Sequence, residues 1–216
     1  MDPKENLFVE KPTFLDILLF PRSFFAKITD KLPTLFLGII FVGLSDATFL
    51  LLDYFPVIFL NKTLSVLIFN STLALCVAVL LGLIKIVFFA LPLFDLFKLF
   101  RVKERIKNIN SQLIKLMKVY ISAHFIIVPV EAFFEATVRL SKLVGMGENY
   151  SATMALIQFV LLPTWLSAIV TRGINTIYDF DDRLKNMVFV IAYTWILLIS
   201  IAMNFSAGRW IPMFFK

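Results

Sequence analysis

Glu131 and Glu135 stand one helical turn apart in "HFIIVPVEAFFEATVRL", residues 124–140, a stretch otherwise almost wholly apolar, with His124 at its front. Carboxylates in hydrocarbon are expensive, and a close pair of them has few uses. They share a proton, hold a cation, or, with the histidine, begin a divalent-metal set. On a helix of about 100° per residue, Tyr120, His124, Glu131 and Glu135 fall within roughly 60° of one another and form one polar stripe. Glu-x-x-x-Glu is weak evidence for a metal, because any helix brings positions four apart together. Ligand sets in helix bundles draw on several helices, and the fourth apolar segment offers only Gln158 and Thr153. Neither a metal nor a cofactor is therefore assigned. The competing reading is structural: Glu135 reaches the outer interface beside Arg139 and Lys142, and Glu131 bonds to a neighbouring helix.

A second set lies in the first two apolar segments. Asp46 and Lys85 each stand eleven or twelve residues from the expected cytoplasmic end, roughly 17 Å deep at ~1.5 Å per residue. Lys85 follows Ala74, Ala78 and Gly82 on a small-residue stripe, and Asp46 lies beside Gly43 and Ala47. Small stripes let helices approach closely, so the spacing predicts an Asp46–Lys85 contact. Such a pair either fixes helix register or takes part in transport. Asp53 is two turns beyond Asp46 on the same face, at a depth similar to that of Glu131, so the carboxylates are expected to gather near the outer side of the bundle.

Other chemistry is poorly served. The chain has no paired-aspartate motif for intramembrane proteolysis, no Gly-x-Ser-x-Gly elbow, no phosphate loop and no His-Glu-x-x-His. It reads as non-enzymatic. "YDFDDR", residues 178–183, reads as a solvated turn. Asn70-Ser-Thr matches a glycosylation acceptor but abuts a span. Cys76 is the single cysteine, which excludes an intrachain disulfide.

The elements that must position these residues follow from composition. Of 216 residues, 60% are hydrophobic, only 17% are charged and 25 are phenylalanine; mean hydropathy is +0.89. A soluble domain carries more charge than this. The apolar runs are continuous rather than alternating, which selects helices over a barrel. Five runs are long enough to span: 35–60, 70–97, 113–138, 151–172 and 187–206. The expected architecture is all-α, with a cytoplasmic amino-terminal segment (1–34), a five-helix transmembrane domain (35–206) and a short outer tail (207–216). The amino terminus lacks the pattern of a cleavable signal peptide.

Lysine and arginine set the expected orientation. Fifteen fall on the side of the amino terminus and of the second and fourth connections, and five on the other side. The amino terminus is therefore expected in the cytoplasm and the carboxyl terminus outside, in the cell (inner) membrane. The net charge of +6 lies between the apolar runs, where topology uses it, and gives no reason to expect nucleic acid. Two flanking pieces read as interfacial. "TFLDILLFPRSFFAKITDKLP" opens with a capping-box pattern, Thr13 and Asp16, and Pro21 interrupts it. It is expected along the cytoplasmic leaflet with Arg22, Lys27 and Lys31 toward headgroups. The second, "KLFRVKERIKNINSQLIKLMK", places Arg101, Lys103, Arg105 and Lys107 around an apolar face. It suits anionic lipid headgroups or a docked membrane or cytoplasmic protein, or serves as ordinary positive-inside charge.

The layout resembles the Yip-domain family, whose bacterial members have five spans, a cytoplasmic amino terminus and a proline-bearing opening segment. Here that segment is "ILLFPRSFFAKI". "KVYISAHFIIVPVEAF" resembles the family's third span, with its tyrosine and mid-helix proline. "LLPTWLSAIVTRGINTIYDFDDRLKNMVFVIAYTWIL" resembles its end. The resemblance covers residues 13–206 in order and layout. It implies a non-enzymatic protein that organises membrane or partner proteins. Asp46, Lys85, Glu131 and Glu135 are not family hallmarks, and they motivate the alternative, a small transporter or channel. That alternative requires a water-accessible polar cavity among the first three spans.

Overall fold

The computed structural model describes residues 14–52, 54–100, 109–145, 150, 153–154 and 156–214. Of the residues singled out above, Thr13, Asp53, Arg101, Lys103, Arg105 and Lys107 lie outside these. Among the described residues there is no strand, and five helices are long and apolar enough to cross a membrane. The chain is an all-α, multi-pass integral membrane protein. A bilayer leaves no water to satisfy backbone N–H and C=O groups, and the helix satisfies them internally.

The elements in chain order are α1 (Phe14–Leu19), α2 (Arg22–Ala26), α3 (Leu32–Leu51), α4 (Phe55–Phe59), α5 (Leu64–Phe100) and α6 (Ile109–Val144). A π-helical turn, Ile157–Leu161, then leads into α7 (Leu162–Tyr178), and α8 is Asp182–Phe214. The first apolar run, expected over 35–60, divides. α3 ends at Leu51, and the short α4 carries Pro56 in its first turn. Asn61, at φ 56°, then turns the chain into α5; asparagine tolerates that left-handed backbone better than most residues. Hydropathy is blind to this break because proline and its apolar neighbours keep the average high. The fourth run shifts toward the carboxyl end of its expected range, and α8 continues through Phe214 into the residues read as a tail.

α6 is the central element. It packs on α3, α5 and α7, while α8 closes against α7 and α5. The core beneath the site is apolar: Val42, Ile86, Phe89, Leu116, Val119 and Ile174 are all fully buried. α3 and α5 cross at Gly43 and Gly82. A Cβ at Gly43 would sit 2.0 Å from the Ala78 carbonyl oxygen, and one at Gly82 2.3 Å from the Ile39 carbonyl oxygen. Only glycine permits that approach, so the small-residue stripe has the role its spacing predicts.

The segment before α3 is docked on the bundle. Phe25 is buried against the Gly173 position of α7, where a Cβ would come within 2.9 Å of its ring. Trp165 Nε1 donates to the Leu18 carbonyl at 2.8 Å, and Arg172 pairs with Asp16. Lys118, counted above as topology charge, is buried instead. Its Nζ donates to the carbonyls of Thr29 and Lys31 at 2.6 and 2.8 Å, which ties the entry of α3 to α6. Arg22, Lys27 and Lys31 remain exposed.

Candidate functional site

The Gly43–Gly82 crossing aims two charges at each other one turn further on. Lys85 Nζ donates to Asp46 Oδ1 at 2.9 Å, with the two side chains 13% and 19% exposed. The predicted contact is thus formed. Beside it on α6, the Tyr120 ring stacks on Phe89 at 4.0 Å between centroids and meets His124 at 4.3 Å. His124 Nδ1 donates to the Tyr120 carbonyl at 2.9 Å. A carbonyl can only accept, so the proton in that bond belongs to Nδ1. Nε2 has no partner among the described residues. The phenol oxygen of Tyr120 is fully buried and has no hydrogen-bond partner there either.

Above this layer the structure opens into a cavity of about 440 Å³. Its polar wall is α6, with Tyr120, His124, Glu131, Glu135 and Arg139, together with Asp46 of α3 and Lys85 of α5. Its apolar wall comes from Phe159, Leu162 and Leu166 on the α7 side and Ile196, Ile201 and Met203 of α8. The volume falls in the range of sites for small molecules.

The two glutamates differ. Glu135 is fully engaged: Arg139 Nε donates to Oε1 at 2.9 Å and Gln158 Nε2 donates to Oε2 at 3.2 Å. Glu131 lines the same cavity with no hydrogen bond or ion pair among the described residues. Lys85, Asp46 and Tyr120 all lie within its electrostatic range. Among the described residues, no group of three or more His, Cys, Asp and Glu side chains is placed to hold a metal ion.

The stripe predicted from helical spacing is therefore present, and the Asp46–Lys85 pair joins it. Asp53 is outside the described residues, so its expected place near Glu131 is not part of this geometry. Two contributors escaped the candidate set. Gln158 was visible as one of the few polar residues of its segment; it lies in the π-helical turn 157–161, from which it reaches Glu135. Arg139 was read as an interface residue, and its partner at i−4 was the available signal. Asn70 is not placed as a free acceptor. It is helical, and its Nδ2 donates to the Ile58 carbonyl at 2.7 Å, holding α4 against α5.

No protein-family model, curated protein or solved structure matches the chain.

Proposed function

We propose that this chain is a non-enzymatic membrane protein that binds a small polar solute or ion in the α6 cavity and moves it across the bilayer, with its amino terminus cytoplasmic in a cell membrane. The carrying observation is the cavity itself: about 440 Å³, with five charged side chains on its walls. A bundle built only for anchorage gains nothing from charges held around open space, because each charge is costly to keep away from water. A cavity that admits water and solute lowers that cost without cancelling it and gives the charges a use.

The test is flux of protons, monovalent ions and divalent metals into liposomes holding the purified protein, beside Glu131→Gln and, as a control for charge elsewhere, Asp182→Asn. Flux lost in the first variant and kept in the second supports the reading. Absence of flux for every ion and for the amine probe described below would remove it.

A second reading, an organiser of membrane or partner proteins as the Yip-like layout implies, is favoured by one observation. α2 is anchored by buried Phe25, which holds exposed Arg22 and Lys27 in a fixed place rather than on a loose tail. A fixed basic surface suits anionic headgroups. Binding of the purified protein in nanodiscs to anionic but not neutral vesicles, weakened in an Arg22→Gln/Lys27→Gln variant, would raise this reading above the first.

A further inference from the structure

The charges around the cavity are unequal in sign and unequal in their commitments. Three carboxylates, Asp46, Glu131 and Glu135, face two cations, Lys85 and Arg139. Lys85 is held by Asp46 and Arg139 by Glu135, each at 2.9 Å. Among the described residues, an anion entering the cavity finds no uncommitted cation on its walls. A cation finds Glu131.

Two further acceptors without partners stand on the same stripe. The Tyr120 phenol oxygen is completely buried and bonds to nothing among the described residues. A buried hydroxyl left unpaired is costly, and native structures seldom leave one without a use. His124 presents Nε2, an acceptor in the neutral ring, because Nδ1 is spent on the Tyr120 carbonyl. Opposite them the wall is mainly aliphatic and aromatic, with Phe159, Leu166, Ile196 and Met203, and carries no charge; Gln158 and Ser200 are its polar members.

From this arrangement we infer that the cavity is a site for an amphipathic organic cation, a protonated amine whose ammonium group meets Glu131 and whose apolar body lies against α7 and α8. This names the solute class for the function proposed above and rests on that reading for its transport role. A primary ammonium supplies three donors to a wall of acceptors. Its charge balances the excess carboxylate, and its alkyl part covers apolar wall that a bare metal ion would leave wet. The room available exceeds what a single inorganic ion needs.

The experiment compares hexylammonium, hexanoate and hexanol as probes of equal length and opposite, or no, charge. Thermal unfolding of the detergent-purified protein is followed with each, and counterflow of radiolabelled hexylammonium is followed in proteoliposomes. Hexylammonium is expected to raise the midpoint by about 2–4 °C at saturation, with hexanoate and hexanol giving the small common shift of partition into the micelle. In Glu131→Gln the affinity for hexylammonium should fall by about tenfold or more, the scale of one lost charge-assisted hydrogen bond. Asp182→Asn, an exposed charge change elsewhere, should leave it intact. Equal response to the three probes, or a response that survives Glu131→Gln, overturns the amine assignment. Binding without counterflow keeps the site and removes transport. Proton or metal-ion flux that depends on Glu131 without amine binding keeps transport and overturns the amine.

Discussion

Lys85 Nζ donates to Asp46 Oδ1 at 2.9 Å, one helical turn past the point where Gly43 and Gly82 bring the backbones of α3 and α5 together. The pair is mostly shielded, and its value is asymmetric. Removing one partner strands the other charge, whereas removing both leaves two neutral side chains of similar shape. Lys85→Met is therefore expected to lower stability by roughly 2–3 kcal/mol, and Asp46→Leu/Lys85→Met by clearly less. Reversible unfolding in mixed micelles measures both. A double variant as damaged as the single one would show that the ion pair itself, and not the stranded charge, sets the cost.

The glycine crossing gives a prediction of its own. A methyl group at Gly43 or Gly82 meets backbone atoms, which cannot rotate away as a side-chain tip can. Gly43→Ala or Gly82→Ala should cost about 1–3 kcal/mol by overpacking and push α3 off α5, lengthening the Lys85–Asp46 contact. Leu80→Ala, on the lipid-facing side of α5, should cost far less. Distances between spin labels on α3 and α5 report the separation directly, and an unchanged distance in Gly82→Ala would contradict the close crossing.

Glu131 should behave in the opposite sense to Asp46. A carboxylate with no partner among the described residues, in a cavity walled partly by hydrocarbon, is a cost to the folded protein, and an amide of the same shape costs less. Glu131→Gln is thus expected to raise the thermal midpoint of the ligand-free protein, by about 1–3 °C for a gain of under 1 kcal/mol, while it abolishes the response to amine. Asp46→Asn should lower the midpoint. This pattern, in which the residue needed for binding is the one whose loss stabilises, is expected of a site and not of a structural contact. Differential scanning calorimetry of the two variants decides it, and a destabilised Glu131→Gln would mean that Glu131 has a structural partner.

What was legible in the sequence follows from which forces are local. Helical spacing puts Tyr120, His124, Glu131 and Glu135 on one stripe whatever the rest of the chain does, and the Gly82–Lys85 and Gly43–Asp46 spacings make a crossing with a charge pair one turn beyond it. What spacing cannot supply is local irregularity. The break after Leu51 and the π-helical turn at 157–161 change direction and phase within apolar runs, and hydropathy averages over both. Gln158 reaches Glu135 from within the second of these. The division of labour between the glutamates was only half legible: the Glu135–Arg139 spacing of four could be read, whereas the arrival of Gln158 at Glu135, with no partner at Glu131 among the described residues, could not. Lys118 shows the complementary limit: a basic residue near a span end counts toward topology in any tally, yet here it is buried and bonded to two carbonyls.

The docked segment before α3 packs on α7, which also lines the cavity. Trp165 Nε1 holds the Leu18 carbonyl at 2.8 Å, and Arg172 holds Asp16. Between α1 and α2, Phe20 takes a left-handed backbone, φ 60°, a strained conformation for a bulky side chain. It is compensated by stacking on Phe24 at 4.6 Å and an edge contact to Phe25 at 6.0 Å. A short segment containing backbone strain belongs to the low-stability end of a fold. Trp165→Phe keeps the aromatic bulk and removes one hydrogen bond, worth about 1 kcal/mol. Combined with Arg172→Met, it is expected to speed amide exchange over residues 14–19 by about tenfold or more while leaving α5 and α6 protected. The neighbours of Trp165 on α7, Leu162, Pro163 and Leu166, line the cavity, so release of α1 should also alter amine affinity without any change at Glu131. Hydrogen exchange read by mass spectrometry tests the first part and the hexylammonium shift the second. Unchanged exchange in the double variant would show that burial of Phe25 alone keeps the segment in place, and an unchanged amine response beside faster exchange would show that the segment and the cavity are independent.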